Sequence, residues 1–443
     1  MNLSYRNSIV SHNRRRPFGP LPAAALDPLI NRPGMTNAKV PTVLTLVGLA
    51  IFLPVELSFY IFGFRLTAAR FILLASIPFL LGILGRKVAI GRYRFVASDL
   101  FVVLTGFWLI YAPSQIDGLS SALNHSGPDV LEFCIPYMST RLALREHGEA
   151  LKFVDLLCQM IVVVALLGLL DSLTNSYLTH NLLRQLTGFN GPNINDWTDH
   201  YRFGVLRATG PIEHPILFGF ICSSGLAIAT NVRVSGRIFV LASCVVGAIL
   251  SFSSAPLQGC LLILVLLAYA KLMGNIPFRW ALLIGLTAGA VLLAVLVSNS
   301  PIGFIISHLI YDPTSGYYRY WTWQTVIPYV SDSPWHGLGN DSIPTEISHS
   351  IDSLWLVLSI HAGVPGAILV CLSLIGAASL PTNGPRVKLT EEESRLGTSL
   401  SIFIVITLCI SFSVDLWGSA WILTGVLAGT RAHLGELGRL RET

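Results

Sequence analysis

The sequence predicts an all-α polytopic membrane protein of about twelve transmembrane helices, with two long loops on one face of the bilayer. Three observations carry this. Of 443 residues, 53% are apolar and only 12% are charged, where an average soluble domain has about 25% charged. Mean hydropathy is +0.65. The apolar residues also fall in runs of roughly 20, the length needed to cross a hydrocarbon core of about 30 Å. One integral domain, residues 39–430, is expected between a polar N-terminal tail, 1–38, and a C-terminal tail, 431–443.

The tail 1–38 is Pro-rich and basic, with Arg14, Arg15 and Arg16 together and no apolar run before residue 40. It reads as a cytosolic extension rather than a cleaved signal. Spans are expected at roughly 40–60, 66–85, 97–113, 128–144, 153–173, 214–230, 238–253, 256–271, 280–298, 353–373, 399–414 and 417–430. The fourth holds Asp129, Glu132 and Pro136, so it either lines a polar cavity or lies partly at the interface. Glu56, Asp155 and Asp171 are costly in lipid and are expected to face the bundle interior, lining a groove or pairing with a cation. The seven cysteines fall singly in apolar runs without CxxC spacing, which marks them as small core residues. The connection 381–397, with Glu391, Glu392 and Glu393, reads as a solvated loop leading into a helix start.

Charge orients the bundle. With the N-terminus inside, the cytosolic side holds 23 of the 29 Lys and Arg residues and the opposite loops hold five, the positive-inside asymmetry. Both termini are then cytosolic. Two large loops, about 174–213 and 300–352, fall on the outer face, and with the shorter loop near Asn124 they carry seven of the eleven histidines. Loops of that length are commonly functional. No GxGxxG, Walker or HExxH pattern occurs in them, so a nucleotide or zinc cofactor has no support, and nothing points to a nucleic-acid partner.

In the first outer loop, RATGPIEHPILFGF places Arg207 just outside the membrane beside a helix that starts at Pro215, where free N–H groups also favour an anion. A headgroup contact for Arg207, with Glu213 and His214 capping the helix, fits the same spacing. In the second loop, GYYRYWTWQTVIPYV puts Tyr317, Tyr318 and Trp321 on one helical face and Arg319 with Trp323 on the other, the pattern of an interfacial helix. SPWHGLGN follows, where His336 sits among Pro334, Gly337 and Gly339 in a tight turn able to bring backbone close to a ligand. The chain re-enters lipid at DSLWLVLSIHAG, with Asp352 at a helix start and His349 three residues earlier.

Arg207 to Pro215 as R-x-x-G-x-x-x-H-P, then Arg319 with Trp323, then P-W-H-G-L-G at 334–339, then D-S-L-W-L with Gly363 eleven residues after the Asp, together resemble the O-antigen polymerase and ligase superfamily of bacterial inner membranes. The resemblance covers about 207–366. It implies a glycosyltransferase architecture of the GT-C-like kind and transfer from a sugar on undecaprenyl diphosphate, at the periplasmic face, with no nucleotide or required metal. Arg207 and Arg319 are then candidates to clamp the departing diphosphate, since guanidinium groups bind such oxygens bidentately. Asp352, or secondly His349, would take the acceptor's proton, with Glu213, His214, Trp323, His336, Gly337 and Gly339 binding substrate. The ligase branch typically has His-Asn where this chain has Asp352-Ser353, so the resemblance favours exopolysaccharide polymerases, whose acceptor is another carrier-linked repeat unit. A chain-length-regulating copolymerase is an implied partner, beside membrane lipids. A ligase acting on a lipid A core, and a transporter or flippase for lipid-linked sugars, are the alternative readings.

Overall fold

The computed structural model describes residues 39–61, 64–91, 93–189, 200–297, 313–341, 343–344, 351–381 and 389–439. Within them lie fifteen helices and two short antiparallel hairpins. The helices are α1 (Thr42–Ala50), α2 (Ala68–Ala89), α3 (Ala97–Asp117), α4 (Leu119–His125), α5 (Gly127–Ala143), α6 (Glu149–Thr174), α7 (Leu178–Thr187) and α8 (Pro215–Asn231). They continue as α9 (Arg237–Leu250), α10 (Ser254–Leu272), α11 (Arg279–Val297), α12 (Pro313–Asp332), α13 (Leu354–Ala378), α14 (Glu391–Ile410) and α15 (Gly418–Arg439).

Each of the twelve expected segments carries a helix. Among the described residues, α2, α3, α6, α10, α13 and α14 are long and apolar enough to cross a membrane, while α8, α9 and most of α11 are apolar but shorter. The chain is therefore an all-α protein built for a membrane. The first segment departs from expectation. α1 ends at Ala50, and β1 (Ser58–Ile61) pairs with β2 (Phe64–Thr67), Ser58 opposite Thr67, where a continuous helix to residue 60 was expected. The Thr67 side chain then accepts from the Arg70 N–H at 3.3 Å and caps α2.

α5 and α15 form the centre, packed along their lengths. They meet closely because Gly425 and Gly429, one turn apart on α15, face the carbonyls of Phe133 and Tyr137, where a Cβ would collide. Trp421 stacks on Phe133, ring centroids 4.5 Å apart, and its indole N–H donates to the Asp129 carbonyl at 3.1 Å. Neither of these two central helices registers as an apolar span, α5 being 17 residues long and both being rich in polar side chains. At one end Arg141 of α5 donates to Asp99 of α3 at 3.1 Å and pairs with Glu436 of α15, all three side chains buried. Tyr137 donates to the same Asp99 at 2.8 Å. Charges at that depth are tolerated because they are paired and hydrogen-bonded. The predicted tail from 431 is helical to Arg439, with Arg431, His433 and Leu434 buried.

Around this centre the helices pack through small residues. Gly225 and Gly247 let α8 and α9 approach over the sulfurs of Cys244 and Cys222, which are buried thiols. By contrast α2 and α11 expose most of their apolar side chains, as lipid-facing helices do. Of the acids expected to face the interior, Glu56 is buried and pairs with His180 at 2.7 Å, while Asp155 is half-buried and accepts from Ser235 N and Oγ at 2.7 and 2.8 Å. Asp171 accepts from the Leu178 and Gly210 amides at 3.0 and 2.7 Å. Each meets local donors, so pairing rather than a shared groove accounts for them. The expected helix start after the 381–397 loop is a capping box, in which Thr390 accepts from Glu393 N and Glu393 accepts from Thr390 N.

Candidate active site

At the end of the bundle where α5 and α15 begin, a cavity of about 360 Å³ opens between α1, β2, the start of α2, α5, α15 and the segment before α8. Its polar wall consists of Arg65, Arg70, Asp129, Glu132, Glu213 and Ser419. The fourth expected span thus lines a polar cavity, the first of the two alternatives its Asp129 and Glu132 implied.

The wall is assembled from segments far apart in sequence. Arg70 Nε donates to Glu132 Oε1 at 2.7 Å, and the Gly418 amide donates to Glu132 Oε2 at 3.1 Å, so that carboxylate is fully engaged. Glu213 is different. Its Oε1 accepts from the Ser419 amide and hydroxyl at 3.2 and 3.0 Å, while Oε2 is buried with no hydrogen-bond partner among the described residues. The close approach requires Gly418, at φ 53°, because a Cβ there would stand 2.5 Å from Glu213 Oε1. Burial pushes the Glu213 carboxyl up to about 7, with the Glu132 charge adding to it against its own amide and the Ser419 donors. Asp415, just before α15, is likewise pushed up to about 7 by burial, with Asp352 adding.

The strand-like stretch ahead of α8 is held from α6. Asp171 accepts from Gly210 N at 2.7 Å and from Thr209 Oγ1 at 3.2 Å, and Ala208 N donates to Leu250 O at 2.9 Å. This anchoring fixes Arg207, which is buried and donates from Nε to Ser251 O at 3.1 Å. Its charge, together with burial, holds the His200 imidazole below its ordinary value. His214 caps α8, its Nδ1 accepting from Ile216 N at 3.2 Å, and its ring lies 5.7 Å from that of Trp417, a residue of the cavity wall. Of the two residues read as a cap, His214 is one and Glu213 is not. Arg207 is not among the residues that line the wall.

α12 has the two faces its sequence predicted. Tyr317, Tyr318 and Trp321 are exposed, whereas Arg319 and Val326 are buried and Trp323 is half-buried against α13 and the α14 end, its indole donating to Phe412 O at 2.9 Å. Burial raises the Tyr318 phenol, and the nearby Asp352 carboxylate adds to it. Asp352 therefore lies near both Tyr318 of α12 and Asp415. The N-cap position of α13 is Ser353, whose hydroxyl donates to Ser411 O at 3.1 Å.

The turn 334–341 brings its backbone close to protein. α13 is interrupted at Gly363, at φ 73°, and the turn inserts there: Leu338 N donates to Ile360 O at 2.6 Å and Val364 N to Pro334 O at 2.8 Å. Gly337 and Gly363 are each pressed against the other's backbone neighbourhood, so their close partner is protein. Gly339 abuts the Asp117 carboxylate, which accepts from the amides of Asn340 and Asp341, and its carbonyl contacts His361 Nδ1 at 2.9 Å. His336 stacks over Trp108 of α3, centroids 6.2 Å apart. These residues form a structural junction of α3, α13 and the second loop. His349 lies outside the described residues.

Arg65, Arg70, Asp415, Trp417, Gly418 and Ser419 do not stand out in the sequence. For the last four the signal is the run Asp415-Leu-Trp-Gly-Ser419, a polar, aromatic and Gly-containing connection between two apolar segments, short enough to read as a plain turn. No protein-family model and no curated protein matches the sequence.

Proposed function

We propose that the chain is a membrane glycosyltransferase of the O-antigen polymerase and ligase type, with twelve spans and both termini cytosolic. In this reading it joins oligosaccharide repeat units carried on undecaprenyl diphosphate at the periplasmic face of a bacterial inner membrane, giving an exopolysaccharide or O-antigen. The observation that carries it is the cavity: a buried carboxyl group, raised toward neutrality by burial and with one oxygen unpartnered among the described residues, on a wall that also holds Arg65 and Arg70, at the end of the first long loop.

The acceptor hydroxyl attacks the anomeric carbon of the donor and passes its proton to Glu213. The anomeric carbon–oxygen bond breaks, and its electron pair leaves with the diphosphate. A base whose conjugate acid titrates near the working pH is the efficient choice. Burial, an oxygen without a partner among the described residues and its place on the cavity wall give Glu213 this role. Guanidinium groups in a partly dry site stabilise the departing charge electrostatically; Arg65 and Arg70 on the wall are placed for this, and Arg207 and Arg319, which do not line the cavity, are the clamp that the resemblance implies.

Reconstitution with a lipid-linked repeat unit tests the reading. Glu213→Gln, Arg207→Ala and Arg319→Ala are expected to lower elongation at least about 100-fold while eluting as folded protein, and Asp352→Asn separates the two candidate bases. Normal elongation by all of them would end the proposal. The string of buried carboxylates also suits a carrier of lipid-linked sugars; vesicles in which the labelled lipid changes leaflet without elongation would establish that reading instead.

A further inference from the structure

A larger cavity than the one beside Glu213 lies at the opposite end of the bundle. It measures about 750 Å³ and runs along α2 from Pro78 to Ile90, closed by the end of α5 and the last turns of α15. On a helix that interval spans about 18 Å, from the middle of α2 to its basic end. The deep half is apolar, with Pro78, Phe79, Gly82 and Ile83. The shallow half carries Arg86, Lys87 and Arg145 against a single carboxylate, Glu436, which Arg141 already pairs. Phe79 is shared with a second, almost wholly apolar cavity of about 360 Å³ between α1 and α2.

His433 supplies an independent observation. It lies on the cavity wall, is only 2% exposed, and neither ring nitrogen has a hydrogen-bond partner among the described residues. A buried imidazole in that condition requires an explanation, and a ligand oxygen in the cavity would provide the missing partner. Three cations and an orphaned imidazole at the mouth of an apolar slot ask for a ligand that is anionic at one end and hydrocarbon at the other. We propose that this cavity binds an anionic phospholipid, its phosphate held by Arg86, Lys87, Arg145 and His433 and its acyl chains lying along α2 past Phe79. Basic pockets between helices at a membrane face bind such headgroups, and the volume falls within the usual range for a ligand site. The site is remote from the carboxylate cavity and independent of any reaction there.

Arg86 and Arg145 are exposed and accessible to substitution without loss of buried packing. Delipidated protein in detergent, titrated with phosphatidylglycerol and with phosphatidylcholine and read by native mass spectrometry, is expected to bind the former preferentially. The Arg86→Ala/Arg145→Ala double variant should bind phosphatidylglycerol at least about tenfold more weakly with phosphatidylcholine unchanged. A Lys271→Ala/Arg233→Ala variant, which removes two charges outside the cavity, should bind as wild type. Three results would overturn the proposal: equal phosphatidylglycerol binding by the cavity variant, parallel loss of both lipids, or displacement of the lipid by millimolar inorganic phosphate, which would identify a free-phosphate site.

Discussion

Glu213 keeps one oxygen on Ser419 and leaves the other without a donor among the described residues, so its ionisation is coupled to folding. Its folded value, about 7, lies above the ordinary 4.5. Below about 4.5 the folded and unfolded chains are both protonated and nothing is lost. Between there and 7 only the unfolded chain ionises, so stability falls as pH rises, by ~3 kcal/mol in all. Asp415, raised from 3.8 to about 7, acts in the same direction. Thermal melting in detergent should therefore drop from pH 5 to pH 8 in wild type and drop less in Glu213→Gln; equal slopes would mean that Glu213 is ionised throughout. The residue itself could be read from RATGPIEHP, but its setting could not. Ser419 lies 206 positions away, and no local period encodes a contact of that range.

The element most open to test is the broken helix α13. An alanine at Gly363 would place its Cβ against the Trp335 carbonyl at a positive φ, adding a left-handed strain of about 1–2 kcal/mol to the clash. Gly363→Ala should lower the melting temperature by several degrees and loosen the 334–341 turn, seen as faster amide exchange. Gly85→Ala on α2, where a Cβ meets nothing, should be neutral or slightly stabilising; if the two variants melt alike, the interlock is not holding the loop. The Asp171 carboxylate offers a second test. Asp171→Ala strips the Gly210 and Thr209 donors of their acceptor, at about 1–3 kcal/mol for each buried group left unsatisfied. Loss of elongation with unchanged α6 to α8 exchange would refute its positioning role. Helices were legible from apolar runs and α12 from its aromatic spacing. The interruption was legible as a Gly and a Pro two residues apart, yet what fills it was not, because the glycines of 337 and 339 fit an open ligand turn as readily as a closed junction.

At the scale of the whole molecule, stability rests on charges that cancel across helices. Arg141 serves Asp99 and Glu436 together, and removing one member of a buried pair costs about 3–5 kcal/mol. Arg141→Met is expected to reduce the yield of folded protein severely, whereas Arg395→Ala, at an exposed pair within α14, should have no measurable effect. If both variants purify equally well, the buried network is dispensable. The class of the molecule was legible in composition alone. Its centre was not, because a hydropathy window penalises the two helices, α5 and α15, whose polar side chains satisfy one another.

α15 engages earlier helices at both of its ends. Its first residues give amide protons to Glu132 and Glu213, and its last turns bring Glu436 to Arg141, 295 positions after that arginine is made. During biosynthesis, then, Glu132 and Arg141 hold only their first partners, Arg70 and Asp99, until α15 is made, and Glu213 waits for Ser419. A chain that stops before residue 418 lacks these last donors and the Glu436 partner of Arg141, so its bundle closes on neither end.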